Sequence, residues 1–247
     1  MSLQFKFQEM LTEIDALAGV ARGFIEPGHN EVFDQLSTVL KNIRDDPTNK
    51  TYEWGIKENY PLRTRVSYGE YQGSCGGQHN VFAEITSVWE IRRIKPSKRS
   101  APAERFELTG LASTRVRLME VQPGADPAQI AMWRMEIGDA SSPGCHFHVQ
   151  VLGEAHVGQF PRSLDVPRLP GLVATPPAVI EFVVGELFQK EWPKHIAGQS
   201  AKLQRWAPIQ RNRLSAVLGW HSKIVCESSG SPWTTLKGKK PPDELFC

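Results

Sequence analysis

The run Cys145-His146-Phe147-His148-Val149-Gln150-Val151-Leu152-Gly153 sets two imidazoles and an amide at every second position. A period of two belongs to a strand, whose successive side chains leave opposite faces. Cys145, Phe147, Val149 and Val151 then make an apolar stripe toward a core. His146, His148 and Gln150 share the other face, with neighbours about 7 Å apart. Three readings fit such a face. A neutral imidazole is nucleophilic near pH 7, so one histidine could attack a substrate with its neighbours assisting. Two imidazoles are also half of a tetrahedral metal site, which His156, Glu154 or the Cys75/His79 pair would complete. The third reading is a solvated strand face with no chemistry. Two ligands are not a site, and no Cys-x2-Cys or glutamate-bearing helix motif accompanies them, so no metal and no cofactor is expected. Cys145 points into the core with no base beside it. Gly73-Ser74-Cys75-Gly76-Gly77 lacks the lysine and the strand-to-helix setting of a phosphate loop.

The elements that must hold this run can be read from the same periodicities. Between Arg63 and Gly153 the period stays at two, with β-branched and aromatic residues enriched, and strands are predicted near 63–72, 80–94, 105–121, 129–137 and 145–152. Gly/Ser/Pro-rich breaks such as Pro123-Gly124-Ala125-Asp126-Pro127 separate them, which suits an antiparallel meander rather than βαβ crossovers. Gly110 marks a bulge or bend. If Trp133, Met135 and Ile137 join Phe147 and Val149 in the core, Arg134 and Glu136 fall on the histidine side. Glu84, Glu90, Arg92, Arg115 and Arg117 alternate so that they could join them. Such a face is either a set of cross-strand ion pairs or a concave polar surface built around the histidines.

Helical spacing of Leu3, Phe7, Met10, Leu11, Ile14 and Leu17 predicts a helix over 3–18, and a second starts at Asn30 and ends at Asp45-Asp46-Pro47. A proline-rich connection follows the sheet. Thr175-Pro176-Pro177 then opens a nearly all-apolar helix, with a threonine cap and proline where the amide has no partner. Pro193 and Pro208 are expected to divide the remainder into separate helices. The fold class is therefore α+β, an antiparallel meander of about five strands packed by N-terminal and C-terminal helices. It forms a single domain over 1–227, helical over 1–46, sheet over 63–153 and helical over 176–222, followed by a loosely ordered basic tail over 228–247.

With 40% apolar and 23% charged residues among 247, the composition is that of an ordinary soluble domain. No run approaches the about 20 apolar residues of a membrane span, and the first residues lack a signal-peptide core. Four scattered cysteines suit a reducing compartment, so a cytoplasmic location and no membrane partner are expected. The net charge of +2 hides an asymmetry, because Lys190 to Lys240 carries ten Lys and Arg against Glu191 and Glu227. Such a quarter is a solvated surface or a handle for an acidic protein or a phosphate backbone. Trp192, Trp206 and Trp220 recur through it, either as core or, among cations, as stacking platforms for bases. Lys202, Arg205, Trp206, Arg211 and Arg213 are the candidate partner contacts.

His146-Phe147-His148-Val149-Gln150-Val151-Leu152 resembles the histidine triad superfamily. The branch it is similar to comprises nucleotidylyltransferases and dinucleoside polyphosphate phosphorylases, in which glutamine replaces the third histidine. The resemblance implies His148 as the nucleophile that takes a nucleotidyl group from an α-phosphorus. It further implies His146 as the residue that positions that nucleophile, and Gln150 as a hydrogen-bonding partner of the phosphate oxygens. Residues 129–192 also resemble uncharacterised bacterial proteins, some met beside mobile or defence genes, which implies a bacterial setting and no particular activity. Two expectations result. The first is a non-catalytic binding or adaptor protein of the bacterial cytoplasm, in a defence-associated complex, that engages a protein or, through its basic quarter, nucleic acid. The alternative is a histidine-triad-like nucleotidyltransferase or nucleotide hydrolase acting through His148.

Overall fold

The computed structural model describes residues 2–68, 80–94, 104–138, 144–152, 168–172 and 175–247. In chain order its elements are β1 (Gln4–Lys6), α1 (Phe7–Ala21), α2 (Glu31–Asp45), β2 (Thr51–Trp54), β3 (Leu62–Arg63), β4 (Ser67–Tyr68), β5 (Asn80–Ile94), β6 (Arg105–Glu120), β7 (Ala128–Ile137), β8 (Phe147–Leu152), β9 (Arg168–Pro170), α3 (Pro176–Leu187), α4 (Glu191–Ala197), α5 (Ser200–Glu227) and α6 (Pro232–Gly238). The fold is α+β. The strands make one antiparallel sheet in the order β2-β5-β6-β7-β8-β9, with β3 and β4 also paired to β5 and β1 to β6. Four strands, β5 to β8, form the meander that the period of two predicts.

One sheet face carries the core. Val81, Ala83, Ile85, Trp89 and Ile91 of β5 lie buried with Phe106, Val116, Met135, Ile137 and Phe147 from the next three strands. Phe5 packs on Trp89 and Phe106 at 5.3 and 5.5 Å, and Trp54 meets Trp89 edge-on at 5.7 Å. Stacked, tilted and edge-to-face contacts of this kind add to what area burial alone contributes. The helices close this face, with α1 against α2, α3 and α5. Thr175 caps α3 by accepting from the Ala178 amide at 3.4 Å. Asn30 holds the N-cap position of α2 without a side-chain bond to the first turn.

Gly110 stands at the irregularity its sequence position predicts. The β5–β6 register shifts between Trp89 and Ile91, opposite Thr109 to Leu111, and a Cβ on Gly110 would lie 2.1 Å from a carboxylate oxygen of Glu90. The bulge thus makes room for a side chain from the neighbouring strand.

Four expectations are corrected. The N-terminal helix starts at Phe7, because Leu3, Phe5 and Phe7 alternate into the core and Gln4–Lys6 pairs with Glu107–Arg105 as β1. The segment 63–72 breaks into the two short strands β3 and β4, its last residues lying outside the described ones. Pro208 does not divide the helices: α5 runs unbroken from Ser200 to Glu227, and Trp206, Arg213 and Val217 bury on the same side of it. That packing offsets the hydrogen bond the proline removes. The tail is not loose. It forms α6, the Gln4 amide donates to Asp243 O at 2.7 Å, and Phe246 bridges to Phe5 and packs on it at 5.1 Å.

Candidate functional site

The register of the meander decides which polar side chains meet. Glu136 stands opposite His148 and Arg134 opposite Gln150. On the other side of β7, Ser113 faces Glu136 and Arg115 faces Arg134, and Arg117 of β6 faces Glu84 of β5. Phe147 turns into the core and His148 and Gln150 turn away from it, as alternation predicts. Arg63 and Arg117 pair with Glu84 at 2.7 and 3.4 Å, and Arg115 and Arg117 with Glu58 at 3.0 and 3.3 Å. The face is thus laced with cross-strand ion pairs. His146 precedes β8 and lines a separate cavity of about 510 Å3 with Ser2, Glu107 and Asp243, where β1 and β7 succeed one another along β6.

The centre of the face is a carboxylate. Glu136 takes a hydrogen bond from Ser113 Oγ at 3.1 Å on one oxygen and meets His148 Nε2 at 3.0 Å on the other. Arg134 donates to Gln150 Oε1 at 2.7 Å and lies 3.6 Å from Glu136. Burial works against ionisation of Glu136. The His148 bond, the Arg134 charge and the Ser113 bond outweigh it and hold the carboxyl below its ordinary value. His148 Nδ1 sits 2.9 Å from Cys145 O. Both ring nitrogens are therefore within hydrogen-bonding distance of protein oxygens. A nucleophilic imidazole needs a lone pair open to its substrate. His148 and Gln150 are 4% and 2% exposed. Ser113 escapes sequence reading, since only the β6–β7 register brings it to Glu136.

The five basic-quarter candidates separate. Lys202, Arg205 and Arg211 are exposed on α5, and Lys202 Nζ donates to Gly19 O of α1 at 2.7 Å. Trp206 and Arg213 are corrections, at 1% and 7% exposure. Trp206 packs in the core and offers no face for a base. Arg213 pairs with the fully buried Glu13 of α1, lies 3.7 Å from Glu9 and sits over the Phe5 ring at 5.7 Å. Gln210 donates to the other Glu13 oxygen at 2.7 Å. Burial pushes the Glu13 carboxyl up, against the pull of the Arg213 charge and hydrogen bond. Arg213 thus ties α5 to α1.

Glu181 of α3 extends this cluster. Burial, and then the charge of Glu13, raise its carboxyl from 4.5 to about 7. A carboxyl that binds its proton more tightly folded than unfolded loses stability as pH rises, here between about 4.5 and about 7, and the loss levels off above. Glu181→Gln is expected to stabilise the protein by about 1–2 kcal/mol at pH 8, reduced from the full shift because the side chain is partly solvated, and to have no effect at pH 4.5. Urea denaturation at the two pH values measures the difference. Equal effects at both would remove the carboxyl as its cause.

Among the described residues no three His, Cys, Asp or Glu converge as metal ligands, and no helix is long and apolar enough to cross a membrane. The proposed additional ligands Cys75, His79, Glu154 and His156 lie outside the described residues. Cys145, Cys226 and Cys247 are free thiols. Comparisons of the chain with protein-family models, with curated proteins and with solved structures found no match.

Proposed function

We propose that the chain is a non-catalytic binding or adaptor protein that engages its partner through the exposed cations of α5, Lys202, Arg205 and Arg211. The observation that carries this reading is the state of His148. Its ring is buried and both nitrogens are directed at protein acceptors, Cys145 O and Glu136. A histidine held in this way braces β7 against β8. Attack on a phosphorus would first require one of these bonds to break and a path to open to the ring. The partner is an acidic protein surface or a phosphate backbone, since both complement exposed guanidinium and ammonium groups. A bacterial cytoplasmic setting within a defence-associated complex belongs to the same proposal through the resemblance of residues 129–192.

The test pairs two variants of the full chain. Lys202→Gln/Arg205→Gln/Arg211→Gln is expected to lose the partner that co-purifies with the wild type, and if that partner is nucleic acid the wild type's own binding falls steeply with salt while the variant's residual binding falls less. His148→Ala is expected to keep it. Intact mass is measured in parallel after exposure to nucleotide sugars and dinucleoside polyphosphates. A nucleotidyl adduct on the wild type, absent from His148→Ala, would overturn the reading in favour of the transferase.

A further inference from the structure

The C-terminal half of α5 and the segment carrying α6 enclose a cleft of about 1010 Å3. Its floor is apolar, formed by Trp220, Ile224 and Leu245, and Lys223 and Lys239 stand exposed on its rim. Glu227 is the one acid among the described lining residues, against three lysines. Trp220 is half-buried and held upright, edge-on to Phe147 at 5.8 Å. The turn between the helices is pinned by hydrogen bonds. Ser228 Oγ and Thr235 Oγ1 share one at 2.6 Å, and the Gly230 amide donates to Ser228 at 3.1 Å. Beside the cleft, α6 presents Trp233 to solvent at 65% exposure. A large exposed aromatic of this kind marks an interaction surface.

Gly219 adds an independent argument. It sits inside α5, where glycine costs about 1 kcal/mol relative to alanine. Packing does not require it, because a Cβ there would meet nothing within 4 Å. The space that its missing side chain leaves open is the cleft itself.

We propose that this cleft binds a nucleotide unit, with the base against Trp220 and the phosphate at Lys223 and Lys239. An aromatic wall under an ammonium rim complements a flat base joined to an anion. Stacking on such a wall contributes about 1–3 kcal/mol per base and accepts any base. The inference goes beyond the binding-protein reading above, since it concerns a second site of the same chain. The same chemistry is offered by a free nucleotide and by one residue of a single strand.

The experiment is fluorescence anisotropy on the full chain, with a fluorescein-labelled 12-nucleotide oligouridine in one arm and mant-ATP in the other. The wild type is expected to bind at least one probe. Binding of mant-ATP alone identifies a free nucleotide as ligand, and binding of the oligonucleotide alone identifies a strand. Lys223→Ala/Lys239→Ala is expected to weaken binding at least tenfold. With the oligonucleotide, its log–log salt dependence becomes shallower by about 0.7, for the one phosphate left without its ammonium groups. Gly219→Leu is expected to project into the cleft beside Trp220 and weaken binding at least tenfold with an unchanged or higher melting temperature. That separates occlusion from unfolding. Binding of neither probe by the wild type, or cleft variants that bind as it does, would overturn the inference. If Lys202→Gln/Arg205→Gln/Arg211→Gln loses the oligonucleotide while the cleft variants keep it, the cleft is wrong and the binding-protein reading stands. A nucleotidyl adduct would remove that reading and leave the cleft to be judged by its own variants.

Discussion

Arg213→Ala is expected to lower the unfolding free energy by about 3–5 kcal/mol, the range found when one partner of a buried ion pair is removed. The substitution leaves Glu13 fully buried, with only the Gln210 amide at 2.7 Å on its carboxylate. It also removes the guanidinium from over Phe5. The deficit depends on pH with a definite sign. Burial already pushes the Glu13 carboxyl up while Arg213 opposes that shift, so the variant raises it further. At acid pH both proteins carry a protonated Glu13 and the deficit shrinks. At pH 8 the variant must either bury a bare carboxylate or take up a proton, and the deficit is largest. Arg205→Ala, at an exposed position of the same helix, is expected to change stability by no more than about 0.5 kcal/mol. Restoring neutrality with Glu13→Gln in the Arg213→Ala background is expected to recover part of the loss. Urea denaturation of the four proteins checks this, and equal deficits for the two arginines would show that the buried pair does not hold α5 to α1.

Gly55→Ala carries the other large effect. Gly55 follows β2 with φ +153°, and an alanine Cβ there would lie 2.0 Å from the backbone oxygen of Ser87. That oxygen cannot retreat, because Ser87 is tied to Ile56 twice. Its amide donates to Ile56 O at 2.9 Å, and its hydroxyl accepts from the Ile56 amide at 3.0 Å. Overlap with fixed backbone adds to the strain of a side chain at that φ, and the variant is expected to lose at least about 3 kcal/mol or to fail to accumulate folded. Gly23→Ala is the control. Its Cβ meets nothing within 4 Å and its φ is not positive, so a gain of up to about 1 kcal/mol is expected. Melting temperatures of the two variants separate backbone overlap from the general cost of replacing a glycine.

The difference between Arg205 and Arg213 shows where sequence reading succeeds and where it stops. Alternation places Phe147 inward and His148 and Gln150 outward, and it puts Arg134 and Glu136 on the histidine side, because a strand's period allows no other arrangement once one residue is assigned. The Thr175 cap and the buried α3 are equally legible, as local chemistry sets both. Partners are not. Glu136 meets Ser113 and His148 through registers fixed by three strands at once, and no local pattern encodes them. The charges of α5 mislead for a different reason, since a net charge treats every cation as surface. Helical phase carries the missing signal. Trp206, Arg213, Val217 and Trp220 stand at i, i+7, i+11 and i+14, one face of a helix, so the arginine lies in the middle of the apolar stripe. Pro208 obscures that stripe by suggesting two helices where one exists. The polar composition of 228–247 likewise hides Phe246, whose place depends on β1.

The meeting of β1 with Asp243 and Phe246 sets a timetable for the growing polypeptide. Phe5 leaves the ribosome before most of the sheet exists, and β6, against which β1 lies, follows about a hundred residues later. Phe246 covers both Phe5 and Phe147, and it follows Phe5 by about 240 residues. At about 5–20 residues per second, the interval between Phe5 and Phe246 is on the order of 10–50 s. During that time the nascent chain carries an aromatic surface that its own sequence has yet to supply a cover for. Contacts between the most distant parts of a chain form slowest, because they close the longest loop. The final layer of this core is therefore laid down after the meander is made, and until then the open surface is the part of the molecule most in need of a chaperone's protection.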